Sequence, residues 1–179
     1  MSVSVLSEVR EPPHDDVAER ELLGAVMARA SVLDEDGVCD VIPSMLYREQ
    51  HRRIFAAQRD LHASGRRVDA ITVYDHLGAE RAERCGGITA LNGLRGLPAS
   101  APSCAAIVIR HATDRALIVE MERGVDRLRD GAGADEEYRA QLGARIGALV
   151  VPESTASRCA TVSCERVGRK RRESIATTV

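Results

Sequence analysis

Between Tyr47 and Leu77 the chain reads YREQHRRIFAAQRDLHASGRRVDAITVYDHL, which holds two helical patterns with one stop between them. Tyr47, His51, Ile54, Phe55, Gln58, Leu61 and His62 recur at helical spacing and so share one face of an amphipathic helix. Ser64-Gly65 ends that pattern where a glycine can take the left-handed backbone that closes a helix. After the polar turn Arg66-Arg67, Thr72 with Asp75 three residues on has the form of a capping box. The hydroxyl accepts one orphan N–H and the carboxylate reaches back to another. A second helix is therefore expected from about Val73.

The residues available for the core point the same way. Aromatic side chains make up only 2% of the chain (one Phe, three Tyr, no Trp), so packing falls to Leu, Ile, Val, Met and Ala, which suits helices better than a sheet. With 179 residues, 44% of them hydrophobic, there is enough chain for one packed domain and an appendage. The expected class is all-α.

The remaining segments extend the pattern. Residues 1–12 read as a loose arm ending at Pro12-Pro13, after which Asp15 or Asp16 can cap a helix with Val17, Leu22, Leu23, Val26 and Met27 as its apolar stripe. Val32, Leu33, Val38, Val41 and Ile42 form a less regular segment, broken at Asp36-Gly37 and ended by Pro43. Beyond Leu77 the charged AERAER leads to Gly86-Gly87, then Ile88, Leu91 and Leu94 at helical spacing. From Ser103, a good N-cap, there is no proline until Pro152, and Ile107, His111, Ile118, Met121, Val125 and Leu128 lie on one stripe. After Gly131-Ala-Gly133, Asp135 can cap a second helix with Tyr138, Leu142, Ile146 and Leu149 on its stripe. The division expected is an arm at 1–12, a helical domain at 13–150 (bundle about 13–100, hairpin about 103–150) and a disordered basic tail at 151–179.

Three stretches together resemble the N-terminal domain of the DnaB-type replicative DNA helicases. They are LYREQHRRIF with SGRRVDAITVYDHL; PPHDDVAERELLGAVM with its Ala18-Glu19 pair and Leu23-Gly24; and Gly86-Gly87 followed by a short helix and Leu97-Pro98. The sequence departs from the family pattern at PASAPSCAA, where Pro102-Ser103 replaces the usual small residues and Asn. The resemblance implies a small bundle followed by a long helical hairpin, the collar of the helicase ring and a non-catalytic module of the primosome. Implied partners are further copies of the chain as a dimer or hexameric ring, the C-terminal domain of primase, and replicative helicase subunits. On this likeness Ile118, Met121, Val125, Leu128, Leu142, Ile146 and Leu149 are expected to mediate self-association. Arg115, Glu122 and Arg123, which lie off the apolar stripe, are candidate partner contacts. ATP and Mg²⁺ are implied only for relatives that carry the motor domain, and no cofactor is expected for this chain.

Several other chemistries fit the sequence poorly. Residues 1–152 hold nineteen basic and twenty-four acidic side chains while residues 153–179 hold six and three, so the body is at −5 and the tail at +3. An acidic body is poorly suited to holding a phosphate backbone. A helical DNA-binding module nevertheless stays an alternative, because Arg52, Arg53, Arg66 and Arg67 border the central helices; a truncated helicase gene product without activity of its own is another. The basic tail could hold DNA weakly. Cys39, Cys85, Cys104, Cys159 and Cys164 show no CxxC pair and the histidines are scattered, so free thiols, surface histidines and no metal are expected. No run is apolar and long enough to span a bilayer and no signal-peptide pattern opens the chain, so the expected location is the cytoplasm.

Catalysis has no foothold either. A P-loop needs GxxxxGK[ST], and the one lysine, Lys170, stands between Arg169 and Arg171. Gly131-Ala-Gly133 lacks the third glycine and the preceding strand of a dinucleotide fingerprint. The acidic triplets Asp34-Glu35-Asp36 and Asp135-Glu136-Glu137 sit where a turn and a helix start already account for them. The purified chain is expected to hydrolyse no ATP and unwind no duplex. Turnover that co-purifies with the protein through successive columns, in a coupled phosphate-release assay, would overturn this.

Overall fold

The computed structural model describes residues 11–129 and 136–150, and all regular structure among them is helical. Helix α1 spans Asp16–Ala28, α2 Glu49–Ala63, α3 Ala70–Leu77, α4 Ala79–Arg84, α5 Gly87–Gly93, α6 Ala101–Arg129 and α7 Glu136–Val150. Short 3-10 turns lie at Ala30–Asp34, Pro43–Met45 and Pro98–Ser100. The all-α class and the order of bundle then hairpin are as the sequence implied. The expected cap Asp135, the tail at 151–179 and the arm up to residue 10 lie outside the described residues.

The start of α1 has a local cause. At α1 the Asp15 carboxylate accepts from the N–H groups of Val17 (3.0 Å) and Ala18 (2.9 Å), the N-cap anticipated. Leu22, Leu23 and Val26 are buried, but Val17 is exposed. It stands five residues before Leu22 and nine before Val26, spacings that turn it to the far side of the helix. Helix α2 begins two residues after Tyr47, and its buried face carries Ile54, Phe55, Gln58 and Leu61. Gly65, at φ +70°, closes it, with the Arg66 N–H reaching back to the Leu61 carbonyl (2.9 Å).

The start of α3 differs from expectation. Its N-cap is Asp69, whose carboxylate accepts from Thr72 N–H (2.9 Å), while the Thr72 hydroxyl accepts from Asp69 N–H (3.0 Å). Thr72 is thus the reciprocating third residue of the capping box and not its first, and the helix starts three residues earlier than Val73. Those N–H bonds hold the Asp69 carboxyl below the usual carboxylate range, the backbone bond from Thr72 being the largest cause. Likewise α6 begins at Ala101, not after Ser103, because the 3-10 turn at Pro98–Ser100 runs straight into it. Pro102 then falls in the first turn, where its missing N–H costs nothing.

The core gathers Leu22, Leu23 and Val26 of α1, Phe55 and Leu61 of α2, Val73 of α3 and Leu91 of α5. Only the first turns of α6 enter it, through Ala101, Cys104, Ala105 and Val108. Beyond Ile109 the helix leaves this core and runs on for about 30 Å at 1.5 Å per residue, still tied at Arg115 to the Pro13 and Met45 carbonyls. Helix α7 folds back along it. Cys85 and Cys104 carry free, buried thiols, raised in pKa chiefly by desolvation.

One close approach fixes α1 against the loop that leads to α6. A Cβ on Gly24 would lie 2.2 Å from the Arg95 carbonyl carbon, and one on Gly96 would lie 2.1 Å from the Glu21 carbonyl oxygen. Two backbones are in contact there. Beside it the Glu21 carboxylate accepts from Leu97 N–H (3.0 Å) and from the Ser100 hydroxyl (3.0 Å). Because the clashing atoms are backbone on both sides, Gly24→Ala or Gly96→Ala is expected to cost about 3 kcal/mol or more. Urea denaturation measures this; a loss below about 1 kcal/mol in both variants would mean that the segments part without penalty.

Candidate functional site

Where the hairpin leaves the bundle, a charged network is buried among α1, α2 and α6. Glu19 is 2% exposed and His51 4% exposed, and His51 Nδ1–H donates to Glu19 Oε2 at 2.7 Å. Glu19 also accepts the N–H of Tyr47 through Oε1 and of Arg48 through Oε2 (3.4 Å). The carboxylate of α1 thereby receives the chain as it enters α2. Next to it Arg48 donates Nε (2.9 Å) and Nη2 (2.7 Å) to Asp16, and this hydrogen bond is the largest cause lowering the Asp16 pKa. His14 stacks on the Tyr47 ring with centroids 4.2 Å apart, and Arg115 of α6 covers the same ring at 5.6 Å.

Arg115 is one of the expected partner contacts, and its exposure was misjudged. It is half-buried, and its guanidinium donates to the carbonyls of Pro13 (2.7 Å) and Met45, tying α6 to the segments before α1 and α2. Burial lowers its pKa from the ordinary guanidinium value. Glu122 and Arg123 are exposed as expected, and Arg123 pairs with Glu120 (3.0 Å). His51 corrects the expectation of surface histidines: the carboxylate of Glu19 supplies in the core what water supplies elsewhere.

The hairpin residues divide between two faces. Helix α7 meets α6 along Glu120, Gly124 and Arg127. Arg145 Nε lies 3.4 Å from Glu120 Oε2, the Leu142 side chain stands against Gly124, and Arg127 sits 4.5 Å over the Tyr138 ring. Leu142 therefore packs inside the hairpin, and Ile146 is half-buried. On α6, Ile118 (41% exposed), Met121 (52%) and Val125 (44%) remain open at spacings of three and four, with Val119 beside them. The side chains of Leu128 and Leu149 lie outside the described residues. At the root of the hairpin a groove of about 670 Å³ runs between Met45, Ala112, Ala116 and Ala148, with Arg123 and Arg145 among its lining residues.

Asp16, Glu19 and His51 present ligand atoms within 4.8 Å of one another, close enough for a metal ion. Each is already engaged, Asp16 by Arg48 and the other two by each other, and the guanidinium brings positive charge to the place a cation would occupy. The cluster is an ion-pair network. No described helix is long and apolar enough to cross a membrane.

Residues 11–109 match the sequence model of the family described as DnaB-like helicase N terminal domain. A protein of Geobacillus stearothermophilus named replicative DNA helicase DnaB is 36% identical over 93 residues, 51% of this chain and 20% of that protein. Its namesake in Mycobacterium leprae (strain TN) is 34% identical over 68 residues, 36% of this chain and 10% of that protein. The chain thus covers a fifth or less of either relative. The crystal structure of the N-terminal domain of DnaB helicase from Mycobacterium tuberculosis superposes with a TM-score of 0.66 at 28% identity, covering 76% of this chain and 99% of the other.

Because Glu19 closes two backbone donors and the His51 ring where it is only 2% exposed, replacing it leaves all three without a partner. Glu19→Ala is expected to destabilise the fold by about 3–5 kcal/mol. Glu19→Leu, which fills the volume but still strands the donors, is expected to recover less than half of that. Chemical denaturation followed by circular dichroism measures both, and near-wild-type stability of Glu19→Ala would show that water takes over the role.

Proposed function

Since the chain belongs to the DnaB-like helicase N terminal domain family, we propose that it works by association and not by catalysis, as the collar-type module of a replication protein. The observation that carries this is the row Ile118, Met121 and Val125, left open on the side of α6 that α7 does not cover. A two-helix projection whose apolar row faces water gains by pairing that row with a second copy, each buried side chain contributing roughly 1.5–3 kcal/mol. A dimer, or a ring built from dimers, follows from that gain.

The same reading gives the chain its partners. The C-terminal domain of primase and the subunits of a replicative helicase are the proteins this module engages, through helix-on-helix contacts around Glu122 and Arg123, with affinity in the ~micromolar range. ATP and Mg²⁺ belong to a motor domain, and the P-loop that would bind them is absent from these 179 residues.

Sedimentation velocity at roughly ten micromolar, a concentration suited to a weak complex, is expected to show a dimer or larger species. Met121→Asp and Ile118→Asp are expected to shift it to monomer with the helical signal kept, since both side chains are already half in water. A wild-type monomer at that concentration would overturn the self-association. Titration against the primase C-terminal domain and the helicase of the same organism tests the second part, and no heat with either partner would leave a shared fold without a shared role.

A further inference from the structure

A second cleft, of about 730 Å³, is bounded by α1, α2 and the α4–α5 region. Four guanidinium groups line it, those of Arg20, Arg48, Arg53 and Arg84, against two carboxylates, those of Asp16 and Glu49. In a chain whose body carries excess negative charge, this is a local reversal of sign. Arg20 makes no hydrogen bond or ion pair with any described residue. Arg53 and Arg84 are held only by i,i+4 pairs with Glu49 (3.0 Å) and Glu80 (2.5 Å), the weak exposed kind that a better acceptor displaces. Of the two carboxylates, Asp16 is neutralised by Arg48, and Glu49 is turned to Arg52 and Arg53.

The start of α2 opens into the same cleft. Its N-cap, Arg48, provides no side-chain cap, and the N–H groups of Glu49, Gln50 and His51 have no acceptor among the described residues. All three residues line the cleft. Glu19 satisfies only the two N–H groups that precede them. Three unpaired N–H groups at the positive end of a 15-residue helix are a standing preference for an anion. His51 adds an independent pointer. Its side chain is almost wholly buried, Nδ1 is taken by Glu19, and Nε2 is without a hydrogen bond although the residue lines the cleft. Ile54, Cys85 and Leu94 add an apolar part to the lining.

We propose that this cleft binds a phosphate-bearing small molecule of nucleotide size. The phosphates would be received by the open N–H groups of α2, by Arg20 and Arg53 and, with the ring taking a second proton between Glu19 and the anion, by His51 Nε2–H, and the organic part would lie on Ile54 and Leu94. The volume is that of a small-molecule site and not of a surface track for a polymer. Guanidinium groups recognise phosphate by paired N–H donors, which explains why arginines can leave their intrahelical partners for it.

The test is calorimetric titration of the full chain with inorganic pyrophosphate, ADP and adenosine, and with a short oligodeoxythymidylate as the polymer arm. Pyrophosphate and ADP are expected to bind with Kd below about 1 mM, ADP the tighter, and adenosine not to bind. Arg20→Glu and Arg53→Glu, both at surface positions outside the core, are expected to weaken each at least tenfold, while Arg110→Glu on α6 changes nothing. The proposal is overturned if neither phosphate compound binds, if the cleft variants bind like wild type, or if the oligonucleotide binds and pyrophosphate fails to compete with it.

Discussion

The fold hangs on one buried carboxylate. Glu19 sits on the inner face of α1 with almost no access to water, and the start of α2 brings hydrogen-bond donors to it. Two backbone N–H groups and the His51 ring are the donors that make such burial tolerable, and all of them belong to residues 47–51. A carboxylate with fewer donors would be driven out of the core or protonated. The register of α2 against α1 is therefore fixed more sharply than Leu, Ile and Val contacts alone would fix it, since apolar side chains tolerate sliding and this group does not. Arg115 extends the same constraint to α6. By covering the Tyr47 ring and bonding the Pro13 and Met45 carbonyls, it ties the root of the hairpin to the segments that Glu19 orders.

On its other flank α1 is held by shape. Gly24 and Gly96 let two backbones touch, and Glu21 receives the N–H and hydroxyl groups that lead into α6. Helix α1 is thus fixed by a charge on one side and by the absence of two side chains on another. Neither device adds much apolar area. Both specify where α6 must start, and so the direction in which the hairpin leaves.

Much of this was legible. The helix pattern at 51–61, the Gly65 stop, the Asp15 cap and the all-α class follow from spacing and turn chemistry, because those signals lie within a few residues of one another. The family was legible too, since Ala18-Glu19, Leu23-Gly24 and the Gly86-Gly87 pair are residues with specific duties, even where the duty itself was unseen. The duties of Glu19 and Gly24 have no local signal, because their partners stand 28 or more residues away. The Thr72 error has a similar origin: Asp69 and Thr72 form the same box as Thr72 and Asp75 would, and only the backbone says which. The arginine-lined cleft was invisible because its arginines come from α1, from the start of α2 and from α4, segments far apart in the sequence.

The hairpin shows why a stripe drawn along a long helix misleads. The spacing puts Ile107 through Leu128 on one face, but α6 has different neighbours along its length. Ala101 to Val108 face the bundle, Glu120, Gly124 and Arg127 face α7, and Ile118, Met121 and Val125 face neither. A helix with three duties cannot carry one amphipathic period, since each neighbour takes its own side. The α7-facing side of α6 is built from a glycine, a carboxylate and an arginine, which meet Leu142, Arg145 and Tyr138 of α7, while Ile118, Met121 and Val125 of α6 stay outside. Had the hairpin been selected to be stable alone, Ile118 and Met121 would belong on the α7 side, where burying them strengthens the pair. Their place on the open side leaves an apolar row in water, the observation behind the proposed self-association.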